Sequence, residues 1–346
     1  MKNIKIRSLG ICMMLLGTFP MAEAQTKTGT KKVTNTSDVR STTTTMERVT
    51  FPNRDITIVG NLYLPKDFDK NKKYHAIVVG HPNGGVKEQT AGLYAQKLAE
   101  KGFVTLAFDA SYQGESGGEP RFLDDPEVRT EDFRAAADYI TIQDYIDPEK
   151  VGLLGICAGG GYVIHAAQTE HRYKAIATIS MVDGGDLRRN GMNGSLTSSI
   201  QQRLNEVGKQ RTIEANGGEI KYSNYVANTK DDLPANANKM YIEGYEYYRV
   251  THKQESAPNK YLFTSLDKLI NFTALDHVEL ISPRPLLLIA GSVADSYYFS
   301  ERAYNLAKEP KELYKIEGAT HIDLYWKQEY VAPIVEKLTD FYGNNL

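Results

Sequence analysis

Two textures of apolar residues follow one another along this chain. Residues 49–51 and 56–64 alternate only in part around Pro52-Asn53 and predict an N-terminal hairpin. Residues 76–79, 103–108, 151–154 and 175–180 are nearly continuous apolar runs, as strands buried on both faces require. Helical stretches over about 88–101, 131–145 and 160–168 separate them, the first with Leu93, Ala95, Leu98 and Ala99 facing mainly inward. Strand and helix in strict alternation predict right-handed crossovers and a mostly parallel sheet with helices on both faces, an α/β fold. After Met181 the alternation stops, and residues 183–265 are polar and rich in Gly, Asn and Tyr. It resumes with strands at 285–289 and 313–316 and helices near 299–307 and 330–342. The sheet needs the strands on both sides of the polar segment. The expectation is therefore one domain over 46–346 carrying a cap-like insertion at about 183–265.

The first 45 residues read differently. Lys2, Lys5 and Arg7 precede a short apolar stretch interrupted by Gly17 and Pro20, and Ala22-Glu23-Ala24 offers small residues where a signal peptidase reads. The stretch is too short to span a bilayer. Residues 1–24 are expected to be a secretory signal cleaved before Gln25, and 25–45, rich in Thr, Ser and Lys, a flexible leader. Ile11 before Cys12 speaks against a lipoprotein signal. The product is expected outside the cytoplasm, in periplasm or medium, with no membrane insertion after cleavage.

Composition is that of an ordinary globular protein, 41% hydrophobic and 24% charged. A net charge of −2, about −4 after signal removal, gives no reason to expect a nucleic-acid partner. Losing Cys12 with the signal leaves Cys157 alone, so no internal disulfide is possible. A lone thiol in an oxidising compartment invites oxidation, which makes Cys157 worth explaining.

Cys157 is the centre of Gly155-Ile156-Cys157-Ala158-Gly159, directly after a buried strand and opening a helix. That is the arrangement of a nucleophile elbow, with small residues two positions either side of a strained nucleophile. The helix end favours a thiolate there. The fold expects an acid after a late strand and a histidine in the last loop. Asp295 follows the strand at 285–289 and His321 the strand at 313–316. Asp183, after the strand ending at Ser180, competes as the acid, and Asp323 is expected to point elsewhere. In Gly80-His81-Pro82-Asn83-Gly84-Gly85, Pro82 has no N–H. Asn83 is therefore the expected oxyanion donor, partnered by Ala158. His81 is a candidate substrate contact, with bonding of its own loop as the alternative. Tyr245 and Tyr248, in a tyrosine-dense run with Tyr241 and Tyr247, are candidate substrate contacts; the alternative is a helix burying them against the domain. His75, His171, His252 and His277 show no metal-like spacing. No metal or other cofactor is expected.

Those motifs resemble the α/β-hydrolases, and within them the cysteine-nucleophile branch of dienelactone-hydrolase-like and polyketide-transferase-like proteins. The resemblance lies in GHPNGGVKEQTAGLYAQKLAEKGFVTLAFDASYQGESGGEPR from Gly80, GICAGGGY from Gly155, SPRPLLLIAGSVADSYYFSE from Ser282 and GATHIDLY from Gly318. Dienelactone hydrolases proper carry a glutamate where His81 stands. Here the nearest carboxylate is Glu88, so a dienelactone substrate is not implied. What is implied is a Cys157–His321–Asp295 triad that forms a covalent acyl-enzyme with a small-molecule acyl substrate. Lactones, enol or aryl esters and thioesters suit a thiolate nucleophile better than alkyl esters. Hydrolysis is the expected outcome; transfer of the acyl group to another acceptor, or a non-catalytic binding protein on the same fold, are the alternatives.

Overall fold

The computed structural model describes residues 44–346. The signal segment and nearly all of the leader lie outside the described residues. The N-terminal hairpin is present as β1 (Thr45–Asn53) and β2 (Ile56–Leu64), and Asn53 pairs with Ile56, so the turn sits at Arg54-Asp55. There follow β3 (Tyr74–Gly80), α1 (Thr90–Glu100), β4 (Val104–Phe108), α2 (Pro126–Thr141), β5 (Ile146–Ile156), α3 (Ala158–Ala167) and β6 (Tyr173–Ile179). Helix α2 begins five residues before the apolar pattern predicts. Asp125 caps it by accepting from Glu127 N at 3.1 Å, and Pro126, at the first helical position, has no N–H to leave unpaired.

The excursion after β6 holds α4 (Gly184–Asn190), α5 (Ile200–Ala215), a two-residue strand β7 (Tyr222–Ser223), α6 (Lys239–Tyr245) and a π-helical turn over Glu246–Thr251. It closes with β8 (Tyr261–Leu262), paired antiparallel to β7, and α7 (Leu266–Asn271). Helix α5 escaped the periodicity reading because it buries only Val207 and Gln210. Then come β9 (Leu286–Gly291), α8 (Tyr297–Leu306), β10 (Lys311–Ile316), α9 (Asp323–Trp326) and α10 (Gln328–Asn345).

The eight long strands form one sheet in the order β1-β2-β4-β3-β5-β6-β9-β10. Pairing is antiparallel from β1 through β2 to β4 and parallel from there on. Helices α2, α3 and α8 cover one face, burying Phe133, Tyr162 and Phe299. Helices α1, α9 and α10 cover the other, burying Tyr94, Tyr325 and Leu338. The ends of β3, β5, β6 and β9 therefore open on one edge, and the loop after each carries a residue singled out in the sequence. None of the helices among the described residues is long and apolar enough to cross a membrane.

One buried ion cluster fixes the loop after β3 against the loop after β4. The Lys87 side chain is fully buried, with Nζ 2.8 Å from Asp109, 2.7 Å from Glu115 and 2.6 Å from Glu88. Asp109 also accepts from the Lys87 and Glu115 amides, each at 2.9 Å. Burial alone would pull the Lys87 ammonium down, but Asp109, Glu115 and Glu88 outweigh it and hold the charge. Glu88 is thus spent on Lys87, two residues ahead of α1. Lys87→Met should leave the Asp109 carboxylate buried beside no cation and lower stability by about 3–5 kcal/mol in urea unfolding. A loss below about 1 kcal/mol would show that the cluster does not hold the loops together.

Candidate active site

Glycines decide the shape of the turn at Cys157. Cys157 has φ 56° and ψ −124°, a left-handed conformation that a non-glycine residue occupies only when its surroundings impose it. A Cβ on Gly155 would lie 2.4 Å from Gly159 O; one on Gly159 would lie 2.6 Å from His81 O; one on Gly161 would lie 2.5 Å from Val182 O. Cys157 N donates to Ile179 O and Val182 N to Cys157 O, both at 2.9 Å, which locks the turn between the ends of β5 and β6. The thiol is partly exposed at the floor of a cleft of about 600 Å³, open at one side. Asn83, Ala158, Arg188, Tyr241, Tyr248, His321 and Tyr325 are among its walls.

Asn83 and Ala158, the expected oxyanion donors, both line the cleft. Neither the Asn83 nor the Ala158 N–H is spent on a backbone carbonyl among the described residues, and the Ala158 N–H lies against the Cys157 sulfur. The Asn83 side-chain oxygen is buried without a partner among the described residues.

His321 stands across the cleft from the elbow, and its neighbours differ from those expected. Its Nδ1 meets Ser296 Oγ at 2.5 Å and its Nε2 meets the Tyr325 hydroxyl at 2.9 Å. Asp295 is not bonded to it. The Asp295 carboxylate accepts from Met240 N at 2.9 Å, at the first turn of α6, where the positive helix end and its free N–H groups attract an anion. Asp183 caps α4 through Gly185 N and Asp186 N, each at 3.1 Å. Asp323 accepts from Thr320 N at 3.0 Å and pairs with Lys327 at 2.7 Å. The orienting partner of His321 is a serine, one residue along from the aspartate expected.

Two further expectations are corrected. His81 does not reach the cleft: its Nδ1 bonds Pro82 O at 2.7 Å and its Nε2 accepts from Ala110 N at 3.1 Å, so both ring nitrogens brace the oxyanion loop. Tyr245 is absent from the lining, which takes Met240, Tyr241, Gly244 and Tyr248 from this run. Gly244 is central to that face, and its neighbour Tyr245 is rotated about 100° away. Tyr248 does line the cleft.

Burial drives both Cys157 and His321 towards their neutral forms. Burial pulls His321 down to about 3. Burial also pushes the Cys157 thiol up, and the opposing pull of Tyr325, the Ala158 N–H and Arg188 does not reverse it. The helix end therefore does not by itself hold a thiolate, because the sulfur has lost its water. Arg188 brings the one formal charge among the lining residues, none of which is acidic. Its guanidinium lies over the rings of Tyr261 (4.8 Å) and Tyr225 (5.8 Å) and makes no hydrogen bond or ion pair with a described residue. By contrast its neighbour Arg189 donates to Ile270 O and Phe272 O at 2.7 and 3.1 Å. Tyr325, Ser296 and Arg188 were not singled out in the sequence. Tyr325 lies four residues after His321, the spacing of one helical turn, which was the available signal. Arg188 offered none.

Residues 59–180 match the model of the dienelactone hydrolase family. The uncharacterized protein YcjY of Escherichia coli K12 is 41% identical over 305 residues, covering 86% of this chain and 99% of YcjY. PA2218 of Pseudomonas aeruginosa is 39% identical over 305 residues, covering 86% of this chain and 80% of that protein. The crystal structure of PA2218 superposes with a TM-score of 0.82 at 38% identity, covering 91% of this chain and 99% of that one. This chain belongs to one family with YcjY and PA2218, and residues 59–180 are its dienelactone hydrolase family domain. Its fold is that of the α/β-hydrolases. More distantly, the thiohydrolase aneE of Aspergillus aculeatus is 27% identical over 222 residues, covering 62% of this chain and 68% of aneE. No group of three or more His, Cys, Asp or Glu among the described residues is placed to hold a metal ion.

The depressed His321 value has a measurable consequence. The unfolded chain takes up a proton near pH 6.5 that the folded imidazole refuses until about pH 3. Stability is therefore unaffected by this group above 6.5 and falls as pH drops from 6.5 towards 3. Urea unfolding of wild type should lose stability more steeply over that window than His321→Gln, the slopes differing by about one bound proton. Parallel slopes would show an imidazole that is already protonated in the fold.

Proposed function

We propose that this protein is an acyl hydrolase in which Cys157 forms a thioester with an activated acyl compound and His321 serves as the base. One observation carries the reading. A cysteine at a left-handed elbow shares a cleft with a buried imidazole and two backbone N–H groups that no carbonyl occupies. Nucleophile, base and oxyanion donors are what acyl transfer requires, and little else lines the floor of the cleft. Attack by the Cys157 sulfur would place the carbonyl oxygen against the Asn83 and Ala158 N–H groups. Ser296 holds the imidazole by Nδ1 and leaves Nε2, which faces the Tyr325 hydroxyl, as the nitrogen that accepts a proton. Water then cleaves the thioester.

The site also suggests which acyl groups enter. The walls are mostly apolar, with Val182, Leu187, Val226, Met240 and Ile322 among them, and Arg188 is the single cation. A guanidinium lying over two packed tyrosine rings, with no hydrogen bond to a described residue, favours a substrate carrying an anionic group some distance from the reacting carbonyl. Sulfur as nucleophile favours a good leaving group, hence a lactone, an aryl or enol ester or a thioester. The name of the relative aneE, a thiohydrolase, fits the last of these. Transfer to an acceptor other than water is the second reading, favoured by the apolar walls, which admit few waters.

With p-nitrophenyl acetate, wild type should release a burst of phenol near one per enzyme, with acetyl on Cys157 by mass spectrometry. Cys157→Ala should show neither, and His321→Ala should acylate on the order of 10²-fold or more slowly. Acetyl found elsewhere, or an unchanged burst in Cys157→Ala, would overturn the assignment. An added amine or thiol that captures the acetyl group in preference to water would favour the transferase reading.

Arg188 is read with a matched pair of esters, mono-p-nitrophenyl glutarate and p-nitrophenyl valerate. Wild type should prefer the anion, and Arg188→Gln should erase on the order of 10- to 100-fold of that preference in kcat/KM while sparing the neutral ester. Equal losses on both esters would count against an anionic substrate.

A further inference from the structure

Nothing places the Cys157 sulfur in a direct hydrogen bond with His321. Between them stands a third group. The Tyr325 hydroxyl is 2.9 Å from His321 Nε2, and on its other side it lies against the Cys157 sulfur, where its contact favours the thiolate. We propose that Tyr325 is a catalytic residue whose hydroxyl passes the proton from the Cys157 thiol to His321 Nε2 as the sulfur attacks. This deepens the acyl-hydrolase reading and rests on it.

A bridging hydroxyl would carry no such role if it could swing aside when substrate arrives. Its surroundings oppose that. Tyr325 is 1% exposed. Its ring is met edge-on by Tyr247, with centroids 5.3 Å apart at 87°, and by Tyr248, 6.4 Å apart at 78°. The backbone of α9 is fixed as well. Tyr94 donates to Leu324 O at 2.6 Å, Thr320 N to Asp323 at 3.0 Å and Asp323 N to Thr320 Oγ1 at 3.2 Å. Tyr247 is stacked in turn on His252 at 4.4 Å, and Gln89 holds His252 O at 2.7 Å. Moving the phenol out of line would unpack this layer, whereas passing a proton through it moves no heavy atom far.

The transfer balances without a further reactant. The S–H bond breaks as a new bond forms to the phenol oxygen; the original phenol O–H breaks as Nε2 gains its hydrogen. The sulfur's electron pair forms the S–C bond and the carbonyl π pair moves to oxygen, so the products are a tetrahedral oxyanion, an imidazolium and a phenol with its hydrogen restored. This requires the imidazole tautomer with hydrogen on Nδ1, donated to Ser296 Oγ. No phenolate need be populated, which matters because burial holds the Tyr325 hydroxyl well above its ordinary value. The two protons move together, and the charge pair appears only as the carbonyl accepts the electron pair of sulfur. On collapse of the tetrahedral intermediate the imidazolium proton returns, through the same hydroxyl or directly, to the departing oxygen or sulfur.

Single-turnover acylation by p-nitrophenyl acetate, followed in mixtures of light and heavy water, tests the relay. For wild type, two protons in flight should give a rate that curves with deuterium fraction. In Tyr325→Phe, acylation should slow by about 10²-fold or more and the dependence should become linear. A phenylalanine keeps the ring and its packing; an unchanged urea midpoint and near-ultraviolet circular dichroism would show the fold intact. If the hydroxyl is only a spacer, Tyr325→Phe should acylate as fast as wild type or faster, with linear dependence in both, and the relay is overturned. Alkylation of Cys157 by iodoacetamide in the same solvent mixtures repeats the comparison without any ester. If no ester acylates wild-type Cys157, the hydrolase reading fails by itself. The alkylation curves still decide whether the thiol proton leaves through Tyr325.

Discussion

Holding Cys157 at φ 56° obliges the chain on either side to touch other backbone at contact distance. Gly155 meets Gly159, Gly159 meets the carbonyls of Gly80 and His81, and Gly161 meets Val182. Through those contacts the end of β3 is drawn beside the start of α3, which puts the Asn83 and Ala158 N–H groups on one side of the sulfur. The bond from Val182 N to Cys157 O then sets where the chain leaves the sheet, so that Asp183 caps α4 and Arg188 turns back over the cleft. The strain at one residue is thus coupled to the oxyanion donors and to the single cation of the pocket. The surrounding sheet, buried on both faces, keeps it from relaxing.

Burial then governs the chemistry. The thiol and the imidazole have both lost most of their water, and each is driven towards its neutral form. A carboxylate beside His321 would oppose this, but Ser296 occupies that position and brings no charge. In the proposed reaction, charge on sulfur and imidazole would therefore develop during the step and not before it. In the same poorly hydrated cleft, the two N–H groups would act on the oxyanion of the proposed reaction, and Arg188 on an anionic group of the substrate, more strongly than in water.

The insertion is tied to the domain by polar and aromatic contacts, one of them from Asp295, which the sequence reading had placed beside the histidine. Asp295 receives the first turn of α6 at Met240 N, Gln89 holds the carbonyl of His252, and Tyr247 is wedged against Tyr325. The lining face of α6 and the floor of the site therefore share one aromatic layer. The π-helical turn at Glu246–Thr251 lies where the run passes from cleft to layer, and turns of this kind gather at functional sites.

Much was legible in the sequence because it is local. Glycines two positions either side of Cys157, an apolar run before and a helix after define the elbow without reference to the rest of the chain. The order of strands brings His321 and the loop of Asn83 to the same sheet edge. Which side chain of a loop turns towards which partner is not local. Asp295 and Ser296 are adjacent, and the docking of α6 claims the carboxylate and leaves the hydroxyl for the imidazole. His81 was drawn away from the cleft by the backbone of its own loop and of Ala110, and Tyr245 by a rotation of one residue on a helix. The surroundings of Tyr325 and Arg188, and the desolvation of the thiol, depend on packing between segments from tens to more than a hundred residues apart. The sequence determined the elbow at Cys157, the loop of His321 and the sheet that carries them, because backbone sterics and apolar period are written residue by residue. Only the tertiary structure decided the hydrogen-bond partners and the charge states, because direction and desolvation belong to the assembled interior.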